Sequence, residues 1–158
     1  MKLKTIKVSE IVIPERFIAS SPNEEKVIIM RQYIKQYHKL DKPVVLNGNT
    51  LVDGYIRYLV AVENEMDEIP FIKALDYKRE HPNSKLSIPY ITGKFKHGEK
   101  EYLWKNDKGI LVNIGDKVLV NSKNKITGKN RGVVIVTNIF ESDNPSMLRH
   151  KSVVKRIE

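Results

Sequence analysis

The sequence predicts an α+β unit followed by an all-β unit, and three observations carry that expectation. Helix and strand signals alternate over about the first 75 residues, a polar stretch containing Pro and Ser interrupts them at 78–84, and beyond it only strand signals recur. A chain of 158 residues is one ordinary domain or two small ones. The expected division is therefore residues 1–77, a linker at 78–84, and residues 85–158.

The first strand rests on Leu3, Thr5, Ile6 and Val8, and Pro14 marks the turn that leaves it. Ser21, Pro22 and Glu24 then give a cap hydroxyl, a Pro at the first helical position and a capping-box carboxylate in the right order. The helix they open carries Val27, Met30, Ile34 and Tyr37 on one stripe and should end between His38 and Leu40. Val44-Val45-Leu46 and Thr50-Leu51-Val52 flank Asn47-Gly48-Asn49, which predicts a tight hairpin. Asp53-Gly54 leads into a second helix with Ile56, Leu59, Val60 and Val62 available to a core, and residues 69–75 supply one more strand. In the second half the strands fall at 88–96 and 100–104, joined by His97-Gly98, then at 116–120, 132–140 and 152–157.

Composition narrows the chemistry. The formal charge is +9, and it is unevenly spread: residues 1–80 carry 13 basic and 12 acidic side chains, residues 81–158 carry 15 and 7. Such a local excess points to a polyanionic partner, although a lysine-rich solubilising surface would look similar, since Lys outnumbers Arg 21 to 7. Cysteine is absent, which removes disulfides, thiolate nucleophiles and Cys-ligated metals. No apolar run approaches the roughly 18 residues of a membrane span, and the basic start MKLKTIKV lacks a signal-peptide core, so a cytoplasmic protein without membrane partners is expected.

The stretch from Leu51 to Tyr58 carries the most chemical information. A strand ending at Val52 and a helix beginning at Gly54 would leave the N–H groups of residues 54–57 free to meet an anion, with Gly54 permitting close approach and Arg57 adding a charged fork. A plain Asp-capped helix start with a solvated Arg57 explains the same residues. Asp41, Asp53 and Glu10 offer carboxylates to Mg²⁺, but surface acids account for them equally well. His38, His81, His97 and His150 show no metal-ligand spacing, so no metal site is expected from them.

About residues 4–75 resemble the N-terminal domain of the ParB/sulfiredoxin family. The resemblance is carried by residues 6–11 with Pro14, by the helix from Pro22 through Lys26 to Lys39 leading into Lys42-Pro43-Val44-Val45-Leu46, and by residues 51–58. It implies an α+β fold in which the turn at Gly54 and Arg57, with Asp53 beside it, holds nucleotide phosphates and Lys26 supplies a second cation. The family's Gly-Glu-Arg-Arg box is altered here, because Tyr55 and Ile56 replace the Glu and the first Arg. Sulfiredoxin chemistry needs a Cys that this chain lacks. The helix-turn-helix that follows in chromosome-partitioning relatives is also absent from the strand-like residues 85–158.

Those residues, with glycines at 93, 98, 109, 115, 128 and 132, resemble a small SH3-like barrel. Lys123, Lys125, Lys129 and Arg131 make a basic loop suited to a nucleic-acid backbone, or simply a solvated turn. Tyr90, Phe95, Tyr102 and Trp104 are either stacking platforms or core, with core expected for at least half, and Arg149, Lys151, Lys155 and Arg156 add charge near the end. The expected function is a ParB-like nucleic-acid-associated protein, with a phosphate or nucleotide site in the first unit and backbone binding by the second, and the resemblance extends the expectation to an accessory role in a phage or other mobile element. The alternatives are a nuclease or nucleotide hydrolase using a nucleoside triphosphate with Mg²⁺, and a protein–protein adaptor with a vestigial pocket and an apolar surface patch.

Overall fold

In the computed structural model, which describes residues 3–96, 98–122 and 130–158, the chain divides into two units, Met1–Tyr77 and Lys78–Glu158, each built on its own sheet. The first unit runs β1 (Lys4–Lys7), a 3-10 turn (Val8–Glu10), α1 (Glu15–Ile18), α2 (Glu24–Tyr37), β2 (Val44–Asn47), β3 (Thr50–Asp53), α3 (Tyr55–Glu63) and β4 (Glu68–Lys73). Its sheet order is β1-β4-β2-β3, with β2 parallel to β4 and the other two pairings antiparallel. β2 is flanked by a strand on each side, and Val44, Val45 and Leu46 are all buried, which is why three consecutive apolar residues are needed there. One core joins Val44 and Leu46 to Ile6, Met30, Ile34, Leu51, Val60, Ala61 and Ile69.

Several boundaries differ from the sequence expectation. α2 starts at Glu24, capped by Asn23, whose side chain accepts from Lys26 N–H at 3.1 Å. Asn23 stands directly before the first helical residue and is as good a cap as Ser21, so it takes the position two residues further on. Met30 and Ile34 from the expected stripe are buried, whereas Tyr37 is half-exposed. In α3 the buried pair is Val60 and Ala61, and Val62 faces outward. Residues 15–18, expected as a turn, form α1, and Leu75 lies in a helix, α4 (Ala74–Glu80), whose last three residues had been read as linker. Within α4, Lys78 is fully buried and its Nζ donates to Ser84 O.

The second unit holds β5 (Ile88–Phe95), β6 (Tyr102–Lys105), β7 (Lys117–Asn121), β8 (Arg131–Ser142), a 3-10 turn (Pro145–Arg149) and β9 (Val153–Ile157). These form one antiparallel sheet ordered β6-β5-β8-β7-β9. Alternation along the strands builds its core from Ile91, Trp104, Val118, Val120, Val134, Val136 and Val153. Phe95 lies over Gly132, where an added Cβ would approach the ring to 2.8 Å. A single parallel bridge, Lys105 to Ser152, links the β6 edge to the residue before β9, with Lys105 N donating to Lys151 O at 2.8 Å. The rest of those two edges is unpaired among the described residues, so the sheet is open rather than a closed barrel.

Candidate phosphate-binding cavity

The site begins where β3 stops. Gly54 takes the left-handed conformation (φ 98°, ψ 29°) and is the N-cap of α3. Two constraints make it glycine: a side chain is strained at that φ, and a Cβ would stand 3.0 Å from Val44 Cγ1 and 3.2 Å from Val44 Cα. The Gly54 N–H is taken by Asp53 Oδ1 at 2.9 Å. Of the four N–H groups expected to face an anion, three therefore remain, those of Tyr55, Ile56 and Arg57, which have no intrahelical acceptor at the first turn of α3.

A cavity of about 740 Å³ opens in front of this turn, and its walls bring Lys26, Asp53, Gly54 and Arg57 together. Lys26 comes from the first turn of α2, nearly thirty residues upstream. Arg16, which the sequence reading did not single out, joins them from α1, with its guanidinium 4.8 Å from the Phe17 ring centroid. The described lining thus carries three cations and one carboxylate. Much of the remaining lining is apolar: Phe17 stacks on Tyr55 at 5.1 Å between centroids, and Ile29, Met30 and Ile56 lie beside them. Tyr55 and Ile56, the two departures from the polar family box, are accordingly wall residues packed against the core.

Arg57 is held from outside the cavity. Its Nε donates to Asp41 Oδ1 at 2.8 Å, and both side chains are roughly three-quarters buried, with exposures of 23% and 29%. Burial pushes the Asp41 carboxyl up, but the Arg57 hydrogen bond and charge, together with the Lys42 N–H at 2.9 Å, outweigh it and hold Asp41 below the ordinary carboxylate range. A guanidinium has five donors, so this ion pair orients Arg57 without exhausting it. Asp41 is thereby engaged by Arg57, whereas Asp53 accepts the Gly54 N–H through Oδ1 alone. Among the described residues no group of three or more His, Asp or Glu could hold a metal ion.

A second cavity in the first unit, about 610 Å³ at the ends of α2 and α3, is lined by Arg31, Lys35, His38 and Glu63. Its Arg31 is already bound by both Glu63 oxygens at 2.8 and 2.9 Å.

In the second unit, Lys123, Lys125 and Lys129 lie outside the described residues. Arg131 is exposed at the start of β8, opposite Asn121, and Ser122 N donates to Asn130 O at 2.9 Å at the base of the loop. The aromatic series divides: Tyr90 and Trp104 are buried, Phe95 packs on the core, and Tyr102 is 44% exposed. Arg149 and Lys151 share one cavity, whereas Lys155 and Arg156 are neighbours on β9 and point to opposite faces. His97 lies outside the described residues, and none of the other three histidines lines the Gly54 cavity. Among the described residues no helix is long and apolar enough to cross a membrane.

No family model matches the sequence, and no curated protein does. Among solved structures, the chain is similar to one described as the C2221 form of a Pnob8-like ParB-N domain. The match has 13% identity and a TM-score of 0.38, and it covers 51% of this chain. It spans about a third (34%) of that chain's length.

Proposed function

We propose that the first unit is a ParB-like module that binds the phosphates of a nucleotide or of a nucleic-acid backbone, and that the second, a basic five-stranded open sheet, associates with nucleic acid. One observation carries the reading: three cations distant in sequence, Arg16, Lys26 and Arg57, converge on one cavity at the N-terminus of α3. In this arrangement Arg57, fixed by Asp41, and the N–H groups of residues 55–57 meet one phosphate. Lys26 and Arg16 neutralise the next, and the Phe17–Tyr55 wall takes the base or ribose. The nucleic-acid reading of the second unit is supported by the excess of 15 basic over 7 acidic residues in residues 81–158.

A second reading, hydrolysis of a nucleoside triphosphate or a phosphodiester with Mg²⁺, is favoured by Asp53, a carboxylate on the cavity wall. A thermal-shift series with ATP, CTP, GTP and a DNA duplex, each with and without Mg²⁺, tests both. A ligand at a hundred times its Kd stabilises the unit it binds by about 2.7 kcal/mol, several degrees for a unit this small. No shift with any nucleotide or with DNA would remove the proposal. Phosphate release that Arg57→Ala abolishes would establish the hydrolase.

A further inference from the structure

The second unit has a cavity of its own, about 450 Å³, lined by Tyr102, Trp104, Ser122, Arg149, His150 and Lys151 among others. No carboxylate occurs among its described lining residues. Three bonds fix the segment that carries its cations. Lys105 Nζ donates to Leu148 O at 2.8 Å, Lys105 N to Lys151 O at 2.8 Å, and Asn121 N to Ser152 O at 3.0 Å. Lys105 is itself buried, with 6% exposure, and burial lowers its pKa, so a charged group has been desolvated to tie this segment down. Arg149, the last residue of the 3-10 turn, and Lys151, just beyond it, both line the cavity. Tyr102 also lines the cavity. It is the most exposed of the hairpin aromatics, its ring packs against Phe95 and Trp104, and Lys100 Nζ lies 5.3 Å from its centroid.

We propose that this cavity holds an unpaired nucleotide of a single-stranded nucleic acid, its base against Tyr102 and its flanking phosphates on Arg149 and Lys151. An aromatic wall accepts a base face only when the base is unpaired, while two cations fixed two residues apart serve the backbone on either side. The inference rests on the nucleic-acid reading of the second unit and is independent of the phosphate cavity in the first.

The test is fluorescence anisotropy of the full chain with labelled dT15 and U15, and with a duplex of the same length, across a salt series. The proposal expects tighter binding of at least one single strand than of the duplex. Tyr102→Ala should weaken single-strand binding roughly tenfold, and Tyr102→Phe should restore it. Arg149→Ala combined with Lys151→Ala should reduce the slope of log K against log salt by about 1.4, the release from two single-strand phosphates. Both cations are exposed, and unchanged Trp104 emission reports that the unit remains folded. Equal affinity for strand and duplex, or an unchanged slope in the double variant, overturns the proposal while leaving the nucleic-acid reading intact. Silence with every oligonucleotide overturns both.

Discussion

Gly54→Ala is the most informative single change in the first unit, because two independent costs meet at one atom. The left-handed backbone at φ 98° costs a residue with a Cβ about 1–2 kcal/mol. The new methyl would also stand 3.0 Å from Val44 Cγ1 and 3.2 Å from Val44 Cα, and the second of these contacts is backbone in a central strand that cannot move aside. Overpacking of that kind adds roughly 1–3 kcal/mol, so the expected loss is about 2–5 kcal/mol. With a urea slope near 1 kcal/mol per molar for a unit of this size, the midpoint should fall by about 2 M or more. The two units can be read separately. α2 and α3 dominate the helical circular dichroism, and Trp104, the sole tryptophan, lies in the second unit. The dichroism transition should shift while the Trp104 transition stays in place. A dichroism midpoint within 0.5 M of the parent (about 0.5 kcal/mol) would refute the reasoning about both strain and contact. The same argument explains why lost ligand binding in this variant would say little about phosphate, since the glycine is already required by the fold.

Three further outcomes follow from the site. Because Asp41 titrates below the ordinary carboxylate range in the folded chain, its ion pair stabilises above that range and the contribution disappears as pH falls through the folded pKa. Asp41→Asn should therefore lower stability at neutral pH by at most about 1 kcal/mol and flatten the acid limb, and an unchanged acid limb in urea titrations would contradict it. Tyr55→Ala removes the ring stacked on Phe17 and should cost about 0.5–1.5 kcal/mol beyond its lost area in dichroism-monitored unfolding, with weakened nucleotide binding. Equal nucleotide affinity in that variant would remove the wall from the binding account. Arg16→Ala should weaken binding by about tenfold without altering the Gly54 turn, as calorimetry would show, and full affinity would confine the phosphate contacts to Arg57 and Lys26.

Much of the architecture is legible in the residues, for identifiable reasons. Met30 and Ile34 repeat at helical spacing, Val118 with Val120 and Val134 with Val136 alternate as strand residues, and Gly48-Asn49 closes the hairpin between β2 and β3. These are local periodicities that burial later confirms. α1 is only four residues long, too short to show a period, and so Arg16 goes unnoticed although α1 brings it into the cavity. α4 is hidden for another reason: its sequence is polar, and its fully buried Lys78 satisfies its charge on the Ser84 carbonyl rather than staying in water. Long-range pairing was also beyond the sequence. The Asp41–Arg57 ion pair and the tether of residues 148–152 on Lys105 depend on how strands and turns meet, and no spacing rule encodes them.

The central claim is that Arg57 belongs to a phosphate site, and calorimetric titration of nucleoside triphosphates into the parent chain and Arg57→Ala, with and without Mg²⁺, tests it most directly. The account predicts saturable binding of at least one triphosphate by the parent and a loss of tenfold or more in the variant, about 1.4 kcal/mol, with the fold retained by dichroism. Equal affinity in the two chains would contradict it, and so would the absence of binding to either.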